Sequence, residues 1–347
     1  MVVTIFAKIA LKGQWVKHKA PFICRNTKKI SKSRCPWLSL RSNPKHMATV
    51  GFSERIYLQY LRTKFKTISK LAPATAGRMA FDLFCTPYPK YKKRKAPAIF
   101  HQALKRTVVL SDQTKLHGFE WIPNKPNDQT VLIAHGYASY AYKFEHYIAP
   151  LLKMGYRVLA FDAPAHGQSE GKHIHVVVYQ EAIQQIMQQA GPVHHFIGHS
   201  LGALTLSMIA EQVDQADARK FVLIAPATKT TTTFANFFKM MHLNEVTIAA
   251  FLNDVSSRTH HKVEYFAADR ALANYGGPLL WVHDEKDMVC PFEDILEFKE
   301  KAPSNIKFLI TNGLGHNKVY KTAEVMDQIM AFWPLPSRSF LFFSRKL

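Results

Sequence analysis

Cysteine is scarce in this chain. Cys24, Cys35, Cys85 and Cys290 are the only four among 347 residues, and no two form a C-x-x-C pair. That excludes a disulfide scaffold and leads us to expect reduced thiols in a cytosolic protein. Long apolar runs are missing as well; none approaches the ~20 residues that span a bilayer as a helix. Met1–Leu11 is mildly apolar but has no basic stretch before it and no small-residue cleavage site after it, so a secretory signal is not expected. With 18 Pro and 15 Gly, collagenous and low-complexity classes are excluded too. Acidic residues are absent from residues 1–46, which carry 11 Lys and Arg.

That last absence localises the charge. The net charge is +21. Residues 47–105 hold 12 basic residues against only Glu54 and Asp82, and residues 106–347 hold 23 of each sign. The excess therefore lies in the first third, ahead of an electrically neutral remainder. Residues 1–46 read as a disordered basic leader, with Met47 just before regular patterning begins. Residues 47–105 read as a helical, basic extension, and 334–347 as a tail. The spacing of Leu58, Leu61, Phe65, Ile68 and Ala72 predicts a helix over 54–72. Its basic face suits either a solvated surface packed on the main domain or a membrane surface, and packing is the simpler expectation. Lys90–Lys95 reads as a charged, solvated linker.

From residue 106 the pattern is regular. Val108–Leu110 and Leu116–Trp121 predict a hairpin turned at Asp112–Thr114. Val131–Ala134, Val158–Phe161, Val193–Ile197, Phe221–Ile224, Leu279–Val282 and Ile306–Ile310 are continuous apolar runs. Helical patterns over Tyr142–Met154, Val176–Gln189, Leu201–Gln212, Glu293–Lys301 and Thr322–Phe332 alternate with or follow them. Such alternation implies an α/β fold with a mostly parallel sheet covered on both faces. Ligands of such sheets bind beyond the C-terminal strand ends. Residues 229–275 interrupt the alternation with Phe234, Phe237, Phe238, Met240, Met241 and Phe251. They are expected to form a small helical lid inserted in a domain spanning 106–333.

Gly198-His199-Ser200-Leu201-Gly202 matches G-x-S-x-G between a buried strand and an apolar helix. A strand turning sharply into a helix lifts one side chain above the sheet, and glycines are needed where the two approach too closely for a β-carbon. A serine hydroxyl needs a base within reach, and the base needs an orienting group. Both lie downstream: Asp284, Glu285 and Asp287 follow one predicted strand, and His316 follows the next. His173 and His175 form an H-x-H with no nearby carboxylate cluster, so no zinc site is expected there.

Over about residues 106–333 the chain resembles the α/β-hydrolase superfamily. The resemblance rests on Ala134-His135-Gly136-Tyr137, the run from Phe161 to Ser169 (F-D-A-P-A-H-G-Q-S), the Ser200 pentapeptide, Asp287-Met288-Val289-Cys290-Pro291 and Gly315-His316, in that order. It implies Ser200 as nucleophile, His316 as base and, because the superfamily's acid commonly precedes a short apolar stretch ending in Pro, Asp287 as acid. It also implies an oxyanion hole from the backbone N–H groups of Tyr137 and Leu201. Two departures stand out. H-G-Y replaces the H-G-G-G of one esterase branch, and Ala165 stands where the superfamily often has glycine in P-G-H-G. A nucleophilic serine argues against a dehalogenase, which uses Asp. Carboxylesterase, lipase, thioesterase, peptidase, carbon–carbon hydrolase and a non-catalytic binding relative remain open. The expected partner is a small, largely apolar substrate. No cofactor, metal or nucleic acid is expected, and the basic N-terminal region is a candidate for weak membrane-surface contact.

Overall fold

The computed structural model describes residues 51–87, 95–213 and 219–333. The expected leader, most of the charged Lys90–Lys95 linker and the C-terminal tail lie outside these residues. In chain order the elements are α1 (Phe52–Leu71), α2 (Pro73–Cys85), β1 (Leu104–Val109), β2 (Lys115–Trp121), β3 (Thr130–Ala134), α3 (Glu145–Lys153), β4 (Arg157–Phe161), α4 (Val176–Gln189), β5 (His195–His199) and α5 (Leu201–Gln212). They continue with β6 (Lys220–Ile224), α6 (Thr230–Met241), α7 (Glu245–Thr259), α8 (Ala268–Leu272), β7 (Leu279–Asp284), α9 (Leu296–Lys301), β8 (Ile306–Thr311), α10 (Gly315–Lys318) and α11 (Ala323–Ala331). Among the described residues no helix is long and apolar enough to cross a membrane.

Two compact units emerge. One gathers the described residues up to Phe84 together with 230–264. In it α1 buries Leu58, Leu61, Phe65 and Ser69 and packs on α6 and α7. The predicted periodicity thus finds its partner inside this helical unit. The rings of Phe81 and Phe84 on α2 meet Phe234, Phe237 and Phe251 in several edge-to-face contacts, the tightest with centroids 5.0–5.2 Å apart. Such pairs are favoured by the positive ring edge over the negative ring face. The Phe-rich sequence of residues 229–275 therefore has a packing explanation. Polar ties close the unit. The Arg62 guanidinium donates twice to the Met240 carbonyl, and Arg258 pairs with Asp82 and Asp254.

The other unit is built on an eight-stranded sheet in the order β1-β2-β4-β3-β5-β6-β7-β8. The β1–β2 and β2–β4 pairs are antiparallel and the rest parallel. The first hairpin matches the prediction. Thr114 N donates to Asp112 Oδ1 at 2.9 Å and Gln113 takes φ 68°, so the turn forms where the sequence marks it. β3 and the central part of β5 are buried throughout, as continuous apolar runs require of strands covered on both faces. The predicted β5 starts two residues later than expected, because Val193 belongs to the entering loop and pairing begins at His195. Chain direction through the sheet reverses at β3: β4 lies on one side of it and β5 on the other. The gap between β3 and β5 is thus a topological switch point, where the strand ends open a crevice.

Candidate active site

Ser200 stands at that switch point. It takes φ 55° and ψ −119° at the N-terminus of α5. A left-handed φ on a residue with a β-carbon is a strained state that persists only when neighbours over-determine it. Here Ser200 N donates to Ile224 O at 3.0 Å, and Ser200 O accepts from Leu204 N at 3.0 Å. The flanking glycines relieve two separate crowdings. A β-carbon on Gly198 would lie 2.8 Å from Ala203 Cα, in the helix that follows the same strand. One on Gly202 would lie 2.4 Å from Ala134 O. The sequence predicted a single strand–helix approach; the second glycine instead answers the end of the neighbouring strand β3.

Asp287 and His316 come from the loops after β7 and β8. His316 Nδ1 donates to Asp287 Oδ2 at 2.7 Å, and both residues are buried. The other oxygen, Oδ1, accepts from Val289 N at 2.8 Å and Cys290 N at 2.9 Å. These amide donors fix the direction of the carboxylate. The competing acids are engaged elsewhere. Asp284 accepts from Lys286 N, Gly313 N, Leu314 N and the Thr311 hydroxyl. Burial pushes its carboxyl up, but the hydrogen bond from Thr311 and the backbone bonds outweigh this and hold it below the usual range. Asp284 thus ties the His316 loop to β7. Glu285 pairs with the Asn312 amide at the exposed surface.

His199 lies beside the pair. Its Nε2 donates to the backbone O of His316 at 3.0 Å, and its ring packs 4.7 Å from that of His316 and 4.3 Å from that of Tyr320. Burial pushes His199 well below the ordinary histidine range, so the ring is neutral. The sequence treats this position as a variable elbow residue. Its supporting contact spans 117 residues of chain and leaves no local pattern.

Two further imidazoles brace the loop after β3, which carries Tyr137. His135 Nε2 accepts from Ala163 N at 2.9 Å, while its Nδ1 donates to Gly136 O. His166 Nε2 accepts from Ala138 N at 2.9 Å, while its Nδ1 donates to Pro164 O. Burial keeps both neutral, with His166 brought down to about 4. A neutral imidazole both donates and accepts, which is what a cross-link between two backbone segments needs. Asp162 joins the same bracing by accepting from Ala141 N and Gln168 N. Ala165 adopts φ 62°, so the superfamily's glycine preference at this turn has a conformational reason that this chain meets with strain. The β3 loop comes close to the nucleophile: a β-carbon on Gly136 would lie 2.9 Å from Ser200 Cβ. Leu201, the first residue of α5, contributes one of the N-terminal amides that have no partner within the helix.

Cys290 is the residue that sequence reasoning passed over. It appeared only as one of four scattered thiols and as a letter in the Asp287 motif. Its thiol lies near enough to the Ser200 side chain to feel it electrostatically. Burial pushes its thiol well up, so it is protonated and inert as a rival nucleophile at neutral pH. Its carbonyl accepts from His283 Nε2 at 2.8 Å.

A recess of about 430 Å³ lies elsewhere. Gln129, Val193, His194 and Arg219 line it at the N-terminal ends of the parallel strands, opposite the Ser200 edge. In parallel sheets that end does not carry the ligand.

Residues 125–274 match the family described as serine aminopeptidase, S33. Monoglyceride lipase of Rattus norvegicus is 21% identical over 263 residues, 64% of this chain and 86% of that protein. Its counterpart from Homo sapiens is 22% identical over 206 residues, 55% of this chain and 67% of that protein. Among solved structures, an esterase of Pyrococcus furiosus superposes with a TM-score of 0.54 at 23% identity, covering 71% of this chain and 95% of its own. An esterase of Exiguobacterium antarcticum gives 0.51 at 15% identity, covering 66% of this chain and 99% of its own. At such identities the structures speak for the fold, and the fold is the one the five ordered motifs imply. With the elbow at the switch point of a mostly parallel eight-stranded sheet, the chain has the α/β-hydrolase fold.

Proposed function

We propose that this protein is a serine hydrolase that cleaves an ester-like bond of a small, largely apolar acyl substrate. The observation that carries the reading is the buried His316–Asp287 hydrogen bond of 2.7 Å, on the sheet edge where Ser200 is held at φ 55°. A strained serine at a strand–helix turn and a carboxylate-oriented imidazole serve acyl transfer and have little purely structural value. The lipase and esterase names among the relatives agree with an ester substrate.

In the proposed cycle His316 Nε2 takes the Ser200 proton as the serine oxygen attacks the carbonyl carbon. The Tyr137 and Leu201 amides stabilise the oxyanion, helped by the positive end of α5. Asp287 keeps the proton-accepting nitrogen facing the serine and stabilises the imidazolium. The imidazolium then protonates the leaving alcohol, and the acyl group stays on Ser200. Water, deprotonated by His316, attacks the acyl-enzyme and returns the serine hydroxyl and a carboxylic acid.

Labelling of Ser200 by a fluorophosphonate probe, with turnover of p-nitrophenyl esters of graded chain length, tests the reading and sizes the acyl site. An unlabelled wild-type protein with no turnover would reject it. The serine aminopeptidase description gives a second reading, amide cleavage, which aminoacyl p-nitroanilides would detect in the same assay.

A further inference from the structure

We infer that Cys290, His316 and Asp287 form a site for a thiophilic divalent cation of the zinc type. One ligand atom from each of the three lies within 4.8 Å of the others, and all three residues are buried. Zinc takes thiolate, imidazole and carboxylate at about 2.0–2.3 Å in tetrahedral geometry, which spaces the ligand atoms by roughly 3.3–3.8 Å. The group therefore needs a closure of about 1.0–1.5 Å at most at its widest edge. The His316–Asp287 edge, at 2.7 Å, needs a slight opening.

The site is built rather than gathered by chance at a surface. Asp287 is fixed by the amides of Val289 and Cys290, so the aspartate and the cysteine belong to one tight turn. His283, from β7, holds the Cys290 carbonyl from behind at 2.8 Å. Outer hydrogen bonds of this kind orient metal ligands and are a regular part of metal sites. A water would complete the tetrahedron in the fourth position. Three protein ligands with one open position is a common arrangement for zinc. The sulfur ligand selects against magnesium and calcium, which demand oxygen donors.

Binding exchanges the Cys290 thiol proton for the cation, with the proton released to solvent, while the proton on His316 Nδ1 moves to Nε2 so that Nδ1 can take the metal. It involves no redox change. An imidazole and a carboxylate held by the cation can no longer serve Ser200. Occupancy and hydrolysis then exclude each other, and the site acts as a reversible off-switch set by free zinc. The off-switch rests on the proposed triad; the cation site itself does not.

Cobalt titration of the full-length, chelator-stripped protein tests the site directly. The expected result is a thiolate-to-cobalt charge-transfer band that zinc abolishes by displacement, that magnesium leaves alone, and that is lost in Cys290→Ala. In parallel, zinc should inhibit p-nitrophenyl acetate turnover, EDTA should reverse this, and Cys290→Ala should raise the half-inhibitory zinc concentration about tenfold or more. Cys290→Ser, which keeps the size and polarity of the side chain, serves if the alanine variant melts early. No band in the wild type, an undiminished band in both variants, or unchanged zinc sensitivity in both would overturn the inference. If the metal-free protein hydrolyses nothing, the proposed function fails while the cobalt titration still decides the site.

Discussion

The two ends of the parallel sheet are both rich in histidine, yet they are built for different purposes. At the N-terminal end, His195 Nδ1 accepts from Lys220 N and its Nε2 donates to Gln129. His194 Nδ1 accepts from Thr130 N. Each ring there satisfies a backbone amide. At the C-terminal end, His135, His166 and His199 also bond to backbone, but they surround one imidazole that bonds to a carboxylate and one serine with a strained backbone. A cluster of histidines, or the presence of a recess, does not by itself mark a site. What separates the two ends is a carboxylate-oriented imidazole beside a serine held against strain, because strain persists only where surrounding bonds fix it.

The comparison can be broken most sharply at the nucleophile. Ser200→Ala should lower ester turnover by on the order of 10⁴-fold or more, while the melting temperature holds or rises as the hydroxyl leaves a strained site. His195→Ala, at the other end, should leave turnover within about twofold and cost about 1–3 kcal/mol in denaturant unfolding, since Lys220 N loses its acceptor. If His195→Ala silenced the enzyme and Ser200→Ala did not, the assignment of the two ends would be reversed.

The two aspartates after β7 sharpen it next. Asp287→Asn should reduce kcat by about 10³–10⁴-fold, because an amide there no longer fixes the His316 tautomer. Asp284→Asn should change kcat by less than about tenfold and cost about 1–3 kcal/mol of stability, since its carboxylate organises backbone amides. Steady-state kinetics and urea unfolding of the same two variants separate these outcomes.

The effect that requires the widest pH change is shared by both ends. His166 and His195 are each brought down to about 4, burial being the main cause. The unfolded chain binds their protons near pH 6.5, and the folded chain binds them only near 4. Between these values the unfolded state carries more protons, so stability falls as the pH falls. The slope is about 1.4 kcal/mol per pH unit for each histidine, and the loss accumulates to roughly 3 kcal/mol each by pH 4. Urea midpoints measured from pH 7 to 4 should decline, and His166→Gln should flatten the decline. A stability profile level down to pH 4 would refute it.

The sequence was most readable where periodicity and chain order carry the information. The hairpin turn at Asp112–Thr114, helix α4 over Val176–Gln189 and helix α5 over Leu201–Gln212 match their predicted places. Helix α2 was not predicted. Its buried face, with Phe81 among its members, is explained by aromatic partners about 150 residues further along the chain. The short helix α10 that carries His316 is only four residues long and has no periodicity to read. Cys290 was legible as a letter but not as a neighbour of Ser200.

By itself, the sequence determined the alternation of apolar strands and helices, the glycine-flanked elbow and the order serine, acids, histidine. These are local or ordinal properties, set by backbone sterics and side-chain periodicity. Only the tertiary structure decided which aspartate meets His316, which strand Gly202 must accommodate, and that a thiol lies against the nucleophile. Each of those depends on loops from different strands converging on one edge. Distance between such loops is fixed by sheet pairing and packing, which no local run of residues encodes.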